Sequence, residues 1–508
     1  MISWSTLLKL IAGKPAHPDI KSLQVVENES LFFESLTMGT IYSGKQGSGK
    51  TSSVARTAVD YALCYTERPI FIFDASGSLI EEFIKLYHLL PQEQFEKIGK
   101  RVVLDIPGDD EYVIPKPLFS PDYGLSLEEE IDKAKSILME LNPERLERNP
   151  TMATAITVTA PHLFRLLNVI RDDHGSWQVP NAKTLLYGAE PGDTLDVAIS
   201  HYGRFAKSSA DHFRRTLLRE NISSTTRTAK VDALLDALQE IEPDPLRARY
   251  GYVRPGITPR EIIDKGLIYL LSGEKLTNNK TAQAWVFWDE FSSLRAIINQ
   301  RIPHDDNEAP VLLIIDEVYR LFEIKGMAEA LGEIPTYFRS RKLMPIFVIQ
   351  AHWQLANLLK EQIWNMGNLV TFSLFNFDDA YRFAQQVFEY DKEQVRLSPF
   401  GESGQFVAET DRGQYLQIAN WIQRLPWRQA VMRRYITEQE SEPFVAFVER
   451  TRELPSGRLP RPMSEIKRNL FRRRAIPVRD ALNVVNHRKL VHRYRGSQDI
   501  NQERPVER

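Results

Sequence analysis

Eight consecutive residues, Gly44-Lys45-Gln46-Gly47-Ser48-Gly49-Lys50-Thr51, have the spacing G-x-x-x-x-G-K-[ST]. Glycines let backbone N–H groups turn inward around an anion, and a helix that follows adds its positive end. A lysine in that place reaches the terminal phosphates of a nucleotide, and a threonine hydroxyl holds magnesium. All eight are therefore candidate nucleotide-binding residues, with Lys50 also catalytic and Thr51 also on the metal. With glycine at ~7% of an average chain, the pattern arises by chance in roughly two chains of this size in a hundred.

Triphosphate chemistry needs a second group of residues, and Val311-Leu312-Leu313-Ile314-Ile315-Asp316-Glu317 supplies one: five apolar residues ending in two carboxylates. Asp316 would hold Mg2+ through its water shell, while Glu317 would orient and deprotonate the water that attacks the γ-phosphate. Gln350 ends another apolar run, Pro345–Ile349, where an amide can sense the γ-phosphate. Before that run stands Phe338-Arg339-Ser340-Arg341-Lys342. Arg341 or Arg339 could stabilise the charge that develops during phosphoryl transfer, and in a ring a neighbouring subunit can donate such an arginine; surface ion pairing, or binding of another phosphate, is the other reading. Asp74-Ala75-Ser76-Gly77 ends a further apolar run, with helix capping and a role near the nucleotide both open.

These residues must be brought to one edge by the elements that carry them. Gly39–Ser43 reads as a strand and Thr51–Tyr65 as a helix, as a phosphate cradle demands. Pro69–Asp74 and Val102–Ile106 read as buried strands, with a helix over Leu79–Leu86 between them. Further strands are expected at Gly266–Ser272, Val311–Ile315, Pro345–Ile349 and Leu369–Leu374, a long helix over Thr281–Arg301, and a terminal hairpin at Gly404–Val407 and Gln414–Ile418. Alternating strands and helices imply an α/β fold: a mainly parallel sheet with helices on both faces.

From 126 to 250 strand signals nearly vanish. Val231, Leu234, Leu235, Leu238 and Ile241 keep the spacing of one apolar helical face, and Thr151–Ile170 is similar. This predicts an inserted all-helical domain at 126–250, with the sheet domain at 39–125 and 251–425. A lead-in covers 1–38, where Met1–Ile11 suits a short amphipathic helix, and a basic extension covers 426–508, with disorder expected in its last dozen residues.

The 508 residues hold 65 Lys and Arg against 67 Asp and Glu, for a net charge of −2. That balance hides an asymmetry: from Pro455 to Arg508 the chain has 14 basic and 5 acidic residues, a net +9, leaving −11 on the remainder. A basic tail on an acidic body suggests an anionic partner, nucleic acid first, or a docking tail. Cys64 is the single cysteine, so no internal disulfide can form. No zinc-ligand spacing occurs among the ten histidines. The apolar runs fall short of the ~20 residues of a membrane span.

In order and type, GKQGSGKT, PIFIFDASGSL, the helical insert, GLIYLLS before a long helix, VLLIIDEVYRLF, RSRK and the strand ending in Gln350 resemble the FtsK/HerA class of P-loop ATPases. Within it they are most similar to the type IV coupling proteins of the TraD/TraG kind, found in conjugation and secretion systems. The resemblance covers about residues 38 to 420. It implies a RecA-like P-loop fold, ATP and Mg2+ as cofactors, a homohexameric ring with sites at subunit junctions, and DNA, single or double stranded, driven through a central channel. A relaxosome, secretion-channel or nuclease partner belongs to the same picture. Many coupling proteins carry N-terminal membrane helices, and none is expected here. The expected location is therefore cytoplasmic, with recruitment to the inner membrane by a partner left open. A HerA-like ATPase of DNA processing or defence is one alternative, and a nucleotide-gated binding module that does not translocate is another.

Overall fold

In the computed structural model, the described residues are 36 and 39–487, apart from 118–124, 141–142, 175–193, 220–221, 239–242, 253–254, 306, 318–330, 332–338, 352–365, 389–394, 398–405, 409, 436–443 and 451–456. They fall in two compact units. The first lies within Met1–Leu104, Ile262–Glu274 and Ile298–Lys467, the second within Asp105–Glu261, Lys275–Ile297 and Arg468–Arg508.

Thirteen strands are described: β1 Thr40–Ser43, β2 Ile70–Asp74, β3 Val102–Asp105, β4 Tyr112–Val113, β5 Ile268–Ser272, β6 Val311–Asp316, β7 Leu343–Ile349, β8 Asn368–Thr371, β9 Val395–Leu397, β10 Phe406–Ala408, β11 Gln429–Tyr435, β12 Phe444–Arg450 and β13 Ile476–Pro477. Nine form one sheet in the order β12-β11-β8-β1-β7-β6-β2-β5-β3. The run from β8 through β1, β7, β6 and β2 to β5 is parallel throughout. Every residue of these six strands is buried, the pattern of a sheet covered on both faces. Near-continuous apolar runs such as Ile70–Phe73 and Val311–Ile315 are what such strands require. The fold is thus the P-loop, RecA-like α/β arrangement that the sequence predicts.

The sheet does not end near residue 425 as expected. β11 pairs antiparallel with β8, and β12 with β11, so the sheet gains two strands from the stretch read as a basic extension. The second arm of the expected terminal hairpin is also corrected: Asp411–Gln423 is a helix. Thr410 accepts a hydrogen bond from the Gly413 N–H at its start, and Gln414, Ile418, Ala419 and Ile422 are buried at helical spacing. The first arm pairs instead as β9 with β10.

Helices dominate the second unit. They include Leu127–Glu140, Thr194–Tyr202, Lys207–Thr216 and Ser224–Leu238, and a run from Pro150 to His174 interrupted by a π-turn at Ala155–Thr159. Pro161 follows that turn and lacks an N–H, so the wider register falls where an α-helical bond would be missing anyway. Most of the 20-residue helix Lys280–Asn299 belongs here too. Within the stretch read as a basic extension, Val478–His487 is a helix whose Val478 and Ala481 pack with Val113 and Ala248. The last dozen residues and Met1–Ile11 lie outside the described residues.

Buried in this unit is a closed set of charges. Lys116 Nζ lies 3.1 Å from Asp289 and 3.0 Å from Glu290; Lys133 Nζ lies 2.8 Å from both Glu130 and Asp289. Arg249 bridges Asp105 at 2.9 Å and Glu290 at 2.6 Å. Among the described residues, no helix is long and apolar enough to cross a membrane.

Candidate nucleotide site

β1 delivers the chain to Gly44 at the sheet's carboxyl edge, and the cradle runs from there into helix Lys50–Cys64. Its glycines are needed as glycines. Gly49 has φ 108°, and a Cβ there would come 3.2 Å from Arg428 Cγ; a Cβ on Gly44 would come 2.7 Å from Phe372 Cβ. The loop is pinned by the Lys45 N–H, which donates to the Ser373 carbonyl at 2.8 Å. Inside it, the Ser48 hydroxyl is buried with no hydrogen-bond partner. Such a group costs about 1–3 kcal/mol unless something else satisfies it.

Lys50 is buried and folds back on its own loop, donating to the carbonyls of Gly44 and, at 2.9 Å, Lys45. Burial lowers its pKa to about 8, against the opposing pull of Asp316 and then Glu317. Both carboxylates therefore sit within electrostatic reach of the lysine, although 266 and 267 positions separate them in the chain. Thr51 follows, half-buried in the first turn of the helix.

The acidic side is set by strand register. Asp74 of β2 lies level with Asp316 of β6 on one side and Ser272 of β5 on the other. Burial, then Asp74, then Glu317 raise the pKa of Asp316 well above the ordinary carboxylate range. Asp74 has its own occupation: Oδ1 accepts from the Ser76 N–H, the Ser76 hydroxyl and the Gly77 N–H, and Oδ2 from the Ile80 N–H at 3.0 Å. It thus anchors the start of helix Ser78–His88, which is the capping reading of the two left open.

Glu317 turns away from β6 with φ 51°, in the left-handed region, its N–H donating to Asp316 Oδ1 at 2.9 Å. Such backbone costs about 1–3 kcal/mol and gathers at functional sites. Across the edge, Gln350 Nε2 donates to Glu317 Oε1 at 3.2 Å. Cradle, aspartate, glutamate and glutamine are therefore brought together at the ends of β1, β6 and β7.

The two arginines are not. Arg339–Arg341 is a 3-10 turn leading into β7, and β7 runs parallel to β1. The turn thus occupies the opposite edge of the sheet, roughly 23 Å from Gln350 at ~3.3 Å per strand residue. There the Arg341 carbonyl accepts from Arg301 at 3.4 Å. Within one chain, Arg341 does not reach the cradle.

Sequence reasoning missed Arg428. It precedes β11 with φ 63°, and its N–H donates to the Ser48 carbonyl at 3.1 Å, so it backs the cradle directly. Its guanidinium lies 4.1 Å from the centre of the Trp427 ring. The signal in the sequence was slight: an aromatic and an arginine side by side after a proline.

A magnesium nucleotide suits this set of groups. The carboxylates crowd round a single ammonium, and the hydroxyls of Ser48 and Thr51 are hard oxygen donors. Magnesium takes one or two carboxylates together with phosphate oxygens and its own waters. Correspondingly, among the described residues no group of three or more His, Cys, Asp or Glu is arranged to hold a metal alone.

No protein-family model matches the chain, and no curated protein does. Solved structures do. The fold is similar to the bacterial conjugative coupling protein TrwBdeltaN70 in an unbound form, with a TM-score of 0.53 and 15% identity over 91% of this chain and 94% of that one. It is also similar to the plasmid coupling protein TrwB in complex with ADP and Mg2+, with a TM-score of 0.52 and 14% identity over 91% and 95%. TrwB with a non-hydrolysable ATP analogue gives 0.52 and 14% over the same shares.

Proposed function

We propose that the protein is an ATP-hydrolysing, ring-forming motor of the coupling type, one that moves or recruits DNA during transfer or packaging. The observation that carries this reading is the meeting of Lys50, Asp316, Glu317 and Gln350 on neighbouring strand ends. The fold shared with coupling proteins, one of them solved with ADP and Mg2+, supports it.

In this reading Lys50 exchanges the carbonyls of Gly44 and Lys45 for the β- and γ-phosphates, and the Ser48 hydroxyl donates to a phosphate oxygen. Thr51 and Asp316 hold the magnesium, which when bound neutralises charge that builds on the γ-phosphate. Glu317 takes a proton from the attacking water, and the Gln350 amide keeps its carboxylate aimed. Arg341, at the far edge of its own sheet, reaches a site only across a subunit junction, so it is assigned there in trans. Mixing Arg341→Ala and Lys50→Ala subunits restores part of the activity if sites are shared; no rescue in stable mixed rings removes Arg341 from the mechanism.

DNA is assigned by charge. Arg468, Arg472, Arg473, Arg474 and Arg479 are all exposed within the net +9 tail. The test is ATP turnover with and without DNA, alongside the mass of the assembly under ATP. Expected are a hexamer-sized mass and a salt-sensitive rise in rate, since phosphate contacts weaken as salt rises. Slow turnover indifferent to DNA would favour the nucleotide-gated binding module instead.

A further inference from the structure

The cradle fixes where phosphates sit but leaves the rest of a nucleotide to be placed. β1 stands between β7 and β8 in the sheet, so the sugar and base leave the phosphates towards one neighbour or the other. The β7 and β6 side carries Gln350, Glu317 and Asp316, polar groups already bonded to one another or charged. The β8 and β11 side is different. Two large rings stand exposed there, Trp427 at 63% and Phe375 at 88%.

Those rings are held to the cradle by a chain of bonds. The Ser373 carbonyl accepts from the Lys45 N–H, and the Ser373 hydroxyl donates to the Gln423 carbonyl at 2.6 Å. Gln423 Nε2 donates to the Phe375 carbonyl at 2.9 Å, and five residues on, the Arg428 N–H closes on Ser48. The turn between helix Asp411–Gln423 and β11 is thus braced at both ends on the segments that shape the phosphate loop. Arg428 adopts a left-handed backbone to make that closure, and its guanidinium covers one face of the Trp427 indole. A cation over one face fixes the ring's orientation. The indole is otherwise largely exposed, one residue from the N–H that bonds the Ser48 carbonyl of the cradle.

We propose that the Trp427 indole, backed by Arg428, is the platform on which the purine base of the bound nucleotide stacks. The assignment rests on the cradle reading above and extends it from the phosphates to the base. A stacked base needs no edge-reading hydrogen bonds, and an arginine–indole–purine sandwich uses only groups already in place. Phe375 offers a second ring on the same side.

The experiment titrates the full chain in Mg2+ with AMP-PNP, which has a base, and with inorganic tripolyphosphate, which has none, by calorimetry. Trp427→Ala is expected to weaken AMP-PNP by about tenfold, the scale of one lost base–aromatic stack, and to leave tripolyphosphate unchanged. Trp427→Phe should keep most of the AMP-PNP affinity, and its folding serves as the control for the alanine variant. An unchanged AMP-PNP affinity in Trp427→Ala overturns the platform. So does an equal loss for both probes, which would make Trp427 a brace for the loop. A wild-type chain that binds neither probe would instead sink the cradle reading, and the platform with it.

Discussion

Both units bury charge, but they treat it in opposite ways. In the helical unit, Lys116, Lys133 and Arg249 face Asp105, Glu130, Asp289 and Glu290, with each cation between two carboxylates at 2.6–3.1 Å. Burial opposes the charge on Asp289, yet Lys116 and Lys133 outweigh it and hold its pKa down to about 2. The one excess acid there, Glu130, is pushed up by burial. At the sheet's edge the balance fails: Asp316 and Glu317 share the ammonium of Lys50 while Asp74 adds its charge against Asp316, and Asp316 and Lys50 are both driven towards their neutral forms. Buried charge that is closed on itself is structure. Buried charge left in excess is a place for a cation and the anion that comes with it.

The sharpest way to break that contrast is to alter one atom at the open site. Glu317→Gln keeps the size of the side chain and removes the base, so turnover should fall by about 10³-fold while nucleotide binding persists. Turnover at the wild-type rate in a single-turnover assay would mean that the excess charge is not catalytic. Lys50→Ala should abolish binding altogether, since it removes the one buried ammonium of the cradle, the other lysine of the loop, Lys45, being exposed.

The same move in the closed set should cost stability in place of activity. Asp289→Asn leaves Lys116 and Lys133 each short of a partner inside the unit, and removing one member of a buried pair costs about 3–5 kcal/mol. Urea unfolding read by hydrogen exchange in helix Lys280–Asn299 measures it. A loss below about 1 kcal/mol would place the network among surface-like pairs.

Which half of the contrast could be read from sequence follows from distance along the chain. The cradle is eight successive residues, and Asp316-Glu317 ends one apolar run, so local spacing carries the chemistry. The closed network joins Lys116 to residues 173 and 174 positions away, and Asp105 to Arg249, 144 away. No period links such residues, and only the fold assembles them. β11 falls in the stretch read as a basic extension, yet its Arg433 is buried, donating to the Met366 carbonyl at 2.9 Å. Gln414–Ile418, inside helix Asp411–Gln423, reads as a strand because Tyr415-Leu416-Gln417-Ile418 is a short, mostly apolar run, for which strand and helix are ambiguous.

Ligand separates the two regions again. Mg·ATP at a hundred times its Kd should stabilise the unit holding the cradle by about 2.7 kcal/mol. Hydrogen exchange should slow in β1, β6 and helix Lys50–Cys64. Each cation of the Lys116–Asp289 network is already held between two carboxylates, so exchange around it should not respond directly. Equal protection across both sets of elements would blur the contrast.

The smallest effect comes from a pair of side chains that neither pattern uses. His162 and His212 stack in the helical unit with ring centres 4.2 Å apart. Burial, then His162, Arg215 and Lys230, lower the His212 pKa from 6.5 to about 4. The folded ring is therefore neutral in a window where an unfolded histidine takes up a proton. Between pH 6.5 and 4 the unfolded chain binds more protons, so this residue's contribution makes stability fall as pH falls. Because the ring is half-exposed, solvent screening keeps the effect modest. The network does not add to it through Asp289, whose carboxyl is ionised throughout that window. His212→Phe keeps the stacking surface and cannot titrate, so its urea midpoint should fall less steeply from pH 6.5 to 4 than that of the wild type. Parallel profiles would show that His212 carries no part of the acid sensitivity, and would put the burden on carboxylates outside the closed set.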